Sequence, residues 1–288
     1  MTMTREVEQA ERPRHAHLVG LLTFTSGCVD VVTLMIIGGA FTSVITGNLI
    51  FIGRAIGTSS LNPALHAVMA VAGYVAGVAA GARLRQLVDR RSPPAALPQA
   101  AWPRAATLVL AVESMILAAV NIAWICYDAA PPGAATDLLL VAAALSLGMQ
   151  GVAARAIRGN PSTTYMTGAL TALVEALATG RHRSADPSAA TGLIALVAGA
   201  ACSALLVQHA SRLALLPPLA ALLLVVAIKL RHHRTERRRA QRPPARAGDT
   251  MRAGDTMRAG DTMQADDTMQ ADDTVRDDDI VRERPPGT

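Results

Sequence analysis

Six long apolar runs, separated by short polar clusters, dominate the hydrophobic pattern of this chain. They are Leu18–Gly39, Ala64–Ala82, Ala105–Tyr127, Leu138–Ala154, Ala189–Gln208 and Leu213–Ile228. Each is near the ~20 residues a helix needs to cross a bilayer. The pattern predicts an all-α integral membrane protein with six transmembrane helices. Two further apolar stretches, Ser43–Gly57 and Thr164–Ala178, are shorter, and each is broken by a Thr-Gly pair. The pairs Thr46-Gly47 and Thr167-Gly168 stand 121 residues apart.

Residues before each break favour extended chain, and those after it favour helix. Thr46 and Thr167 are expected to cap the helices that follow, since a hydroxyl oxygen accepts from an unpaired amide of the first turn. Gly47 and Gly168 let a backbone or ligand approach closely. At the same offset Gly27 matches Gly148, Leu49 matches Leu170 and Ala55 matches Ala176, which points to a duplicated chain.

Charge fixes the expected topology. If the two interrupted stretches enter the bilayer without traversing it, twenty Lys and Arg residues up to Arg246 fall on the side of the termini. Only Arg54 and Arg212 fall opposite, and Arg54 fits least well. Basic residues favour the cytoplasmic side, so both termini are expected there, in a bacterial plasma membrane. Three full spans separate equivalent points of the halves, which predicts an inverted repeat. Its halves cover about 18–127 and 138–230. Residues 1–17 form a polar cytoplasmic segment, 231–246 a basic collar that attracts anionic lipid headgroups, and 247–288 a disordered acidic tail of six hexapeptide units. The acidic tail argues against nucleic acid as a partner.

In inverted-repeat transporters, half-helix N-termini commonly meet polar or anionic cargo near the bilayer midplane. The candidate site therefore includes Thr46, Gly47, Asn48, Thr164, Thr167 and Gly168. Asp30 is the one acid well inside the first span, and intramembrane charge is costly. It either carries a coupling proton or cation or hydrogen-bonds the strand near Thr46. Gln150 lies at similar depth in the other half. Glu113, mid-span in the third run, is a packed neutral acid or a relay. Gly73, Gly77 and Gly81, and Gly192, Ala195, Gly199 and Ser203, mark close helix packing, within the chain or in a homo-oligomer.

The stretch GCVDVVTLMIIGGAFTSVITGN resembles the opening signature of the YoaK family of bacterial membrane proteins, at Gly27, Asp30, Gly39, Phe41, Thr46, Gly47 and Asn48. A second signature is similar at Gly148, Gln150, Thr163, Thr164, Thr167 and Gly168, with Gly151 where the family often has Asn. The resemblance covers roughly residues 19–230 and implies a multi-span inner-membrane protein of a family carrying a domain of unknown function.

Two functions follow. One is a secondary transporter or channel for a small polar or anionic solute. The other is a membrane scaffold or regulatory subunit that works through the collar and tail. An enzyme is not expected. The seven His residues lie at or beyond span ends, and Cys28, Cys126 and Cys202 have no metal-ligand or disulfide spacing, so no metal or cofactor is expected.

Overall fold

The computed structural model describes residues 2–58, 61–91, 102–157, 166–180 and 187–240. Among these residues there is no strand. Eight α-helices follow in order: α1 (Thr2–Val32), α2 (Ile45–Thr58), α3 (Leu61–Arg90), α4 (Arg104–Cys126), α5 (Gly133–Ala156), α6 (Met166–Ala178), α7 (Pro187–His209) and α8 (Leu216–Ala240). The segments His17–Ile37, Ala64–Arg90, Arg104–Cys126, Gly133–Ala156, Ser188–His209 and Ser211–Thr235 are long and apolar enough to cross a bilayer. These six coincide with the six apolar runs. The chain is an all-α integral membrane protein.

The helices outrun the apolar runs at their polar ends. α1 begins at Thr2 and α3 continues to Arg90, so the N-terminal segment and the Arg83–Arg90 stretch are helical. Arg, Leu and Gln are good helix formers whether or not they face lipid. The acidic tail expected over 247–288 lies outside the described residues.

Two helices are too short to span. α2 has 14 residues and α6 has 13. At 1.5 Å per residue each is about 20 Å long against a hydrocarbon core of about 30 Å.

Small residues set how the spans pack. α1 and α7 run parallel, with Gly20 against Thr191 and Gly27 against Leu196 and Ala200. α3 and α5 also run parallel, with Gly73 against Val141 and Gly81 against Met149 and Val152. α1 and α5 run antiparallel: Leu22 and Ser26 meet Gln150, whereas Gly38, past the far end of α1, meets Leu140.

The two parallel pairs repeat one contact. A Cβ on Gly27 would overlap the Leu196 carbonyl, and one on Gly148 would overlap the Tyr74 carbonyl. A Cβ on Gly199 would overlap the Phe24 carbonyl, and one on Gly77 the Leu145 carbonyl. Gly27 and Phe24 stand 121 residues before Gly148 and Leu145; Tyr74 and Gly77 stand 122 before Leu196 and Gly199. The contact of α1 on α7 is thus made again by α5 on α3, pointing the other way. Helices approach this closely in lipid only where no side chain intervenes. Gly73, Gly77 and Gly81, candidates for an oligomer surface, are covered by α5 of the same chain.

A core of Leu22, Val29, Leu110, Leu117, Leu147, Met149, Leu222 and Val225 joins α1, α4, α5 and α8. At one end Trp102 Nε1 donates to Thr107 Oγ1 (3.1 Å), and the Lys229 ammonium lies 4.3 Å over the Trp102 ring. At the other end Trp124 Nε1 donates to the Ser211 carbonyl (2.9 Å), Asp128 pairs with Arg212, and His66 pairs with Asp137 (3.2 Å).

Candidate functional site

The first break starts where α1 loses its regular winding. Thr33–Ile37 form a π turn, closed by the Gly38 amide donating to the Thr33 carbonyl (3.1 Å). Such turns free backbone groups and concentrate at functional sites. Gly39 then takes a left-handed conformation (φ 65°), which suits glycine. The chain reverses and runs back along α1.

Asp30 fixes how far back it runs. One carboxylate oxygen accepts from the Thr42 amide (2.7 Å), the Thr42 hydroxyl (2.7 Å) and the Ser43 amide (2.8 Å). The other accepts from the Ser43 hydroxyl (2.5 Å). Asp30 lies two turns before Ile37, so the break is pinned about 10 Å below the end of the π turn. The strand expected before Thr46 is irregular backbone instead, and Asp30 hydrogen-bonds it: its carboxylate replaces the water that these donors would otherwise need.

Asn48 completes the clip. Its Oδ1 accepts from the Phe41 amide (3.0 Å), and its Nδ2 donates to the Phe41 carbonyl (2.6 Å). Asn48 is fully buried, and Gly47 sits close under the Phe41 ring. α2 then rises from the depth of Asp30, and α3 begins beside the end of α1, with His66 against Gly38. α2 therefore enters and leaves by one face.

This local structure corrects two expectations. α2 begins at Ile45 and α6 at Met166, so Thr46 and Thr167 lie inside the first turns and are not the caps. The loop is held by Asp30 and Asn48, whose reach across 12 and 7 residues overrides the local capping preference. Thr46, Thr167 and Gly168 are exposed on the protein surface.

The residues around the second Thr-Gly pair differ in sequence from those around the first. Thr164, with the rest of 158–165, lies outside the described residues. At the 121-residue offset Gly151 stands for Asp30 and Ala169 for Asn48, neither of which carries a polar side chain. The Tyr74 hydroxyl lies 2.9 Å from where a Cβ on Gly151 would be. α6 also starts inside the bundle: Met166 reaches Gly192, beside Thr23 of α1. α2 packs on α3 and α6 on α7, so each short helix is held by the long helix that follows it in the chain.

Gln150 joins α5 to α1. Its Nε2 donates to the Leu22 carbonyl (2.6 Å) and the Ser26 hydroxyl (3.2 Å). The structure therefore gathers Asp30 and Asn48 around the first break and places Gln150 at the α1–α5 contact. Thr42 and Ser43, which supply the donors, were visible in the sequence only as β-prone residues before a Thr-Gly pair. Among the described residues no group of three or more His, Cys, Asp or Glu is placed to hold a metal ion.

Asn48→Ala is expected to leave the Phe41 amide and carbonyl without partners, at a cost of about 1–3 kcal/mol. Amide exchange at Phe41 should accelerate while exchange in the middle of α4 stays unchanged. Equal protection at Phe41 in the variant would contradict the clip.

The family model described as Protein of unknown function (DUF1275) matches residues 18–228. The chain is 29% identical over 159 residues to the UPF0700 transmembrane protein YoaK of Bacillus subtilis (strain 168). That match covers 55% of this chain and 65% of the relative, so just under two thirds of the relative's length is spanned. No solved structure matches.

Proposed function

This chain belongs to the family described as Protein of unknown function (DUF1275), and from that premise we propose that it is a secondary transporter or channel for a small polar or anionic solute. It works as an inverted internal repeat in the bacterial cell membrane, with both termini cytoplasmic and the basic collar against anionic lipid.

One observation carries this reading: backbone that is not helical, residues 38–44, is folded back along the first apolar span, His17–Ile37, and held against Asp30. Hydrocarbon tolerates such backbone only where protein surrounds it or a cavity adjoins it. Interrupted helices in oppositely directed halves are the common frame of secondary transporters. The repeated glycine contact, made in opposite directions, supports the duplication. The twenty-to-two distribution of basic residues supports the orientation. Because Thr42 and Ser43 occupy the Asp30 carboxylate, Asp30 holds the loop, and because the Gly47 amide donates to the Val44 carbonyl (3.1 Å), the groups left to meet solute are Thr46 on α2 and Thr167 and Gly168 on α6.

Proteoliposomes test this with labelled phosphate, acetate and glutamate as probes. Uptake of at least one above protein-free vesicles is expected. Thr46→Val and Thr167→Val should each lower it roughly fivefold, the worth of one hydrogen bond near 1 kcal/mol. No uptake of any probe, or uptake indifferent to both changes, would overturn the reading.

A further inference from the structure

α4 presents a buried face of Ala106, Val109, Leu110, Leu117 and Val120 to the core. Glu113 sits in the middle of that face, fully buried, and neither of its carboxyl oxygens has a hydrogen-bond partner. Leu110 and Leu117, one turn to either side, belong to the same apolar cluster as Leu147, Met149 and Ala153, which flank Gln150. Gln150 Oε1 is also buried without a partner. This core thus contains unpaired acceptors on two side chains, and the buried unpaired donor among the described residues, Asn121 Nδ2, stands eight residues further along α4, about 12 Å from the level of Glu113.

Buried polar atoms in folded proteins are nearly always paired, so an orphan asks for an explanation. Packing alone does not provide one, because Leu at 113 would fill the space without burying two acceptors. What the site lacks is a hydrogen that can be donated, and Glu113 is itself able to take one up.

The charged and titratable groups on the surrounding helices are placed elsewhere. Asp30 is occupied by Thr42 and Ser43, and Asp137 by His66. Arg212 pairs with Asp128, Lys229 lies over Trp102, His233 meets Thr107, and the Tyr74 hydroxyl lies beside Gly151. Arg155 belongs to the last turn of α5, at the end of the span.

We propose that Glu113 is a proton-binding site inside the membrane, and that its proton is the coupling ion of the transport cycle. The coupling role rests on the transport reading above; the proton site does not. The step moves one proton from water on one side onto the Glu113 carboxylate and later releases it to the other side, with no change of oxidation state.

Dicyclohexylcarbodiimide is the probe for the site. It adds to a protonated carboxyl in apolar surroundings and leaves one reagent molecule covalently attached. Purified protein at neutral pH should carry the adduct on the peptide containing Glu113, with no adduct there in Glu113→Gln. Absence of adduct on wild-type Glu113 would overturn the proton site. Glu113→Leu should melt at or above the wild-type temperature; a fall of more than a few degrees would show that the oxygens have partners, and would also overturn it. For coupling, a proton gradient should stimulate wild-type probe uptake at least tenfold over its absence, and Glu113→Gln should lose that stimulation while keeping passive exchange. Retained stimulation would overturn the coupling role. Adduct formation without uptake of any probe would sink the transport reading and leave the proton site standing.

Discussion

Gly77→Ala and Gly199→Ala are each expected to destabilise the protein by about 3 kcal/mol, the upper end of the cost of overpacking. At either position a Cβ would overlap a carbonyl of the facing helix, Leu145 for Gly77 and Phe24 for Gly199. A flexible side chain could turn away, but backbone cannot, so α3 and α5, or α1 and α7, must separate along their length. In a chain of this size the loss corresponds to a fall in melting temperature of roughly 6–12 °C. Gly53→Ala and Gly168→Ala are the controls. No neighbouring atom lies within 4 Å of the added methyl at either position. Both are helical, so alanine should stabilise by roughly 0.5–1 kcal/mol. Melting followed by circular dichroism in detergent separates the two classes. Similar losses at Gly77 and Gly199 are expected because the two contacts are equivalent.

Asp30→Ala should have an effect at least as large, about 3–5 kcal/mol, the scale for breaking a buried charged network by removing one side of it. Two amides and two hydroxyls, from Thr42 and Ser43, would lose their acceptor inside the membrane. Asp30→Asn keeps one acceptor oxygen and should cost roughly half as much. Amide exchange at Thr42 and Ser43 reports the loop directly, and protection there should fall in the order wild type, Asn, Ala. A wild-type melting temperature in Asp30→Ala would contradict the latch.

Much of this architecture was legible in the residues because bilayer thickness fixes how long a spanning helix must be. The apolar runs gave the six spans, and the Thr-Gly pairs marked the two helices that stop short. The polar ends were less legible: α1 and α3 continue into Thr2–His15 and Arg83–Arg90, where helix propensity persists after hydropathy fails. The caps were misplaced for a different reason. Thr46 has the right chemistry for one, but Asp30 and Asn48 reach the loop through tertiary contacts that local sequence does not display. The glycines of α3 announced close packing, yet only the fold shows α5 as their neighbour. Glu113 was visible as an intramembrane acid; that both its oxygens lie unpaired depends on what every adjacent helix presents. The 121-residue offset of the Thr-Gly pairs already sets Gly151 against Asp30 and Ala169 against Asn48; what that difference means shows only once Asp30 and Asn48 are seen to hold the first loop.

The loop before α2 dips into the bilayer, and α2 returns to the face that the chain left. Single cysteines at Gly39, Thr46 and Thr58, in a chain with Cys28, Cys126 and Cys202 replaced by Ser, can be probed with a membrane-impermeant thiol reagent added to one side of oriented vesicles. Gly39 and Thr58 should react from the same side, opposite to a cysteine placed at Arg85. Reaction of Thr58 from the side of Arg85 would make α2 a crossing helix and contradict the account.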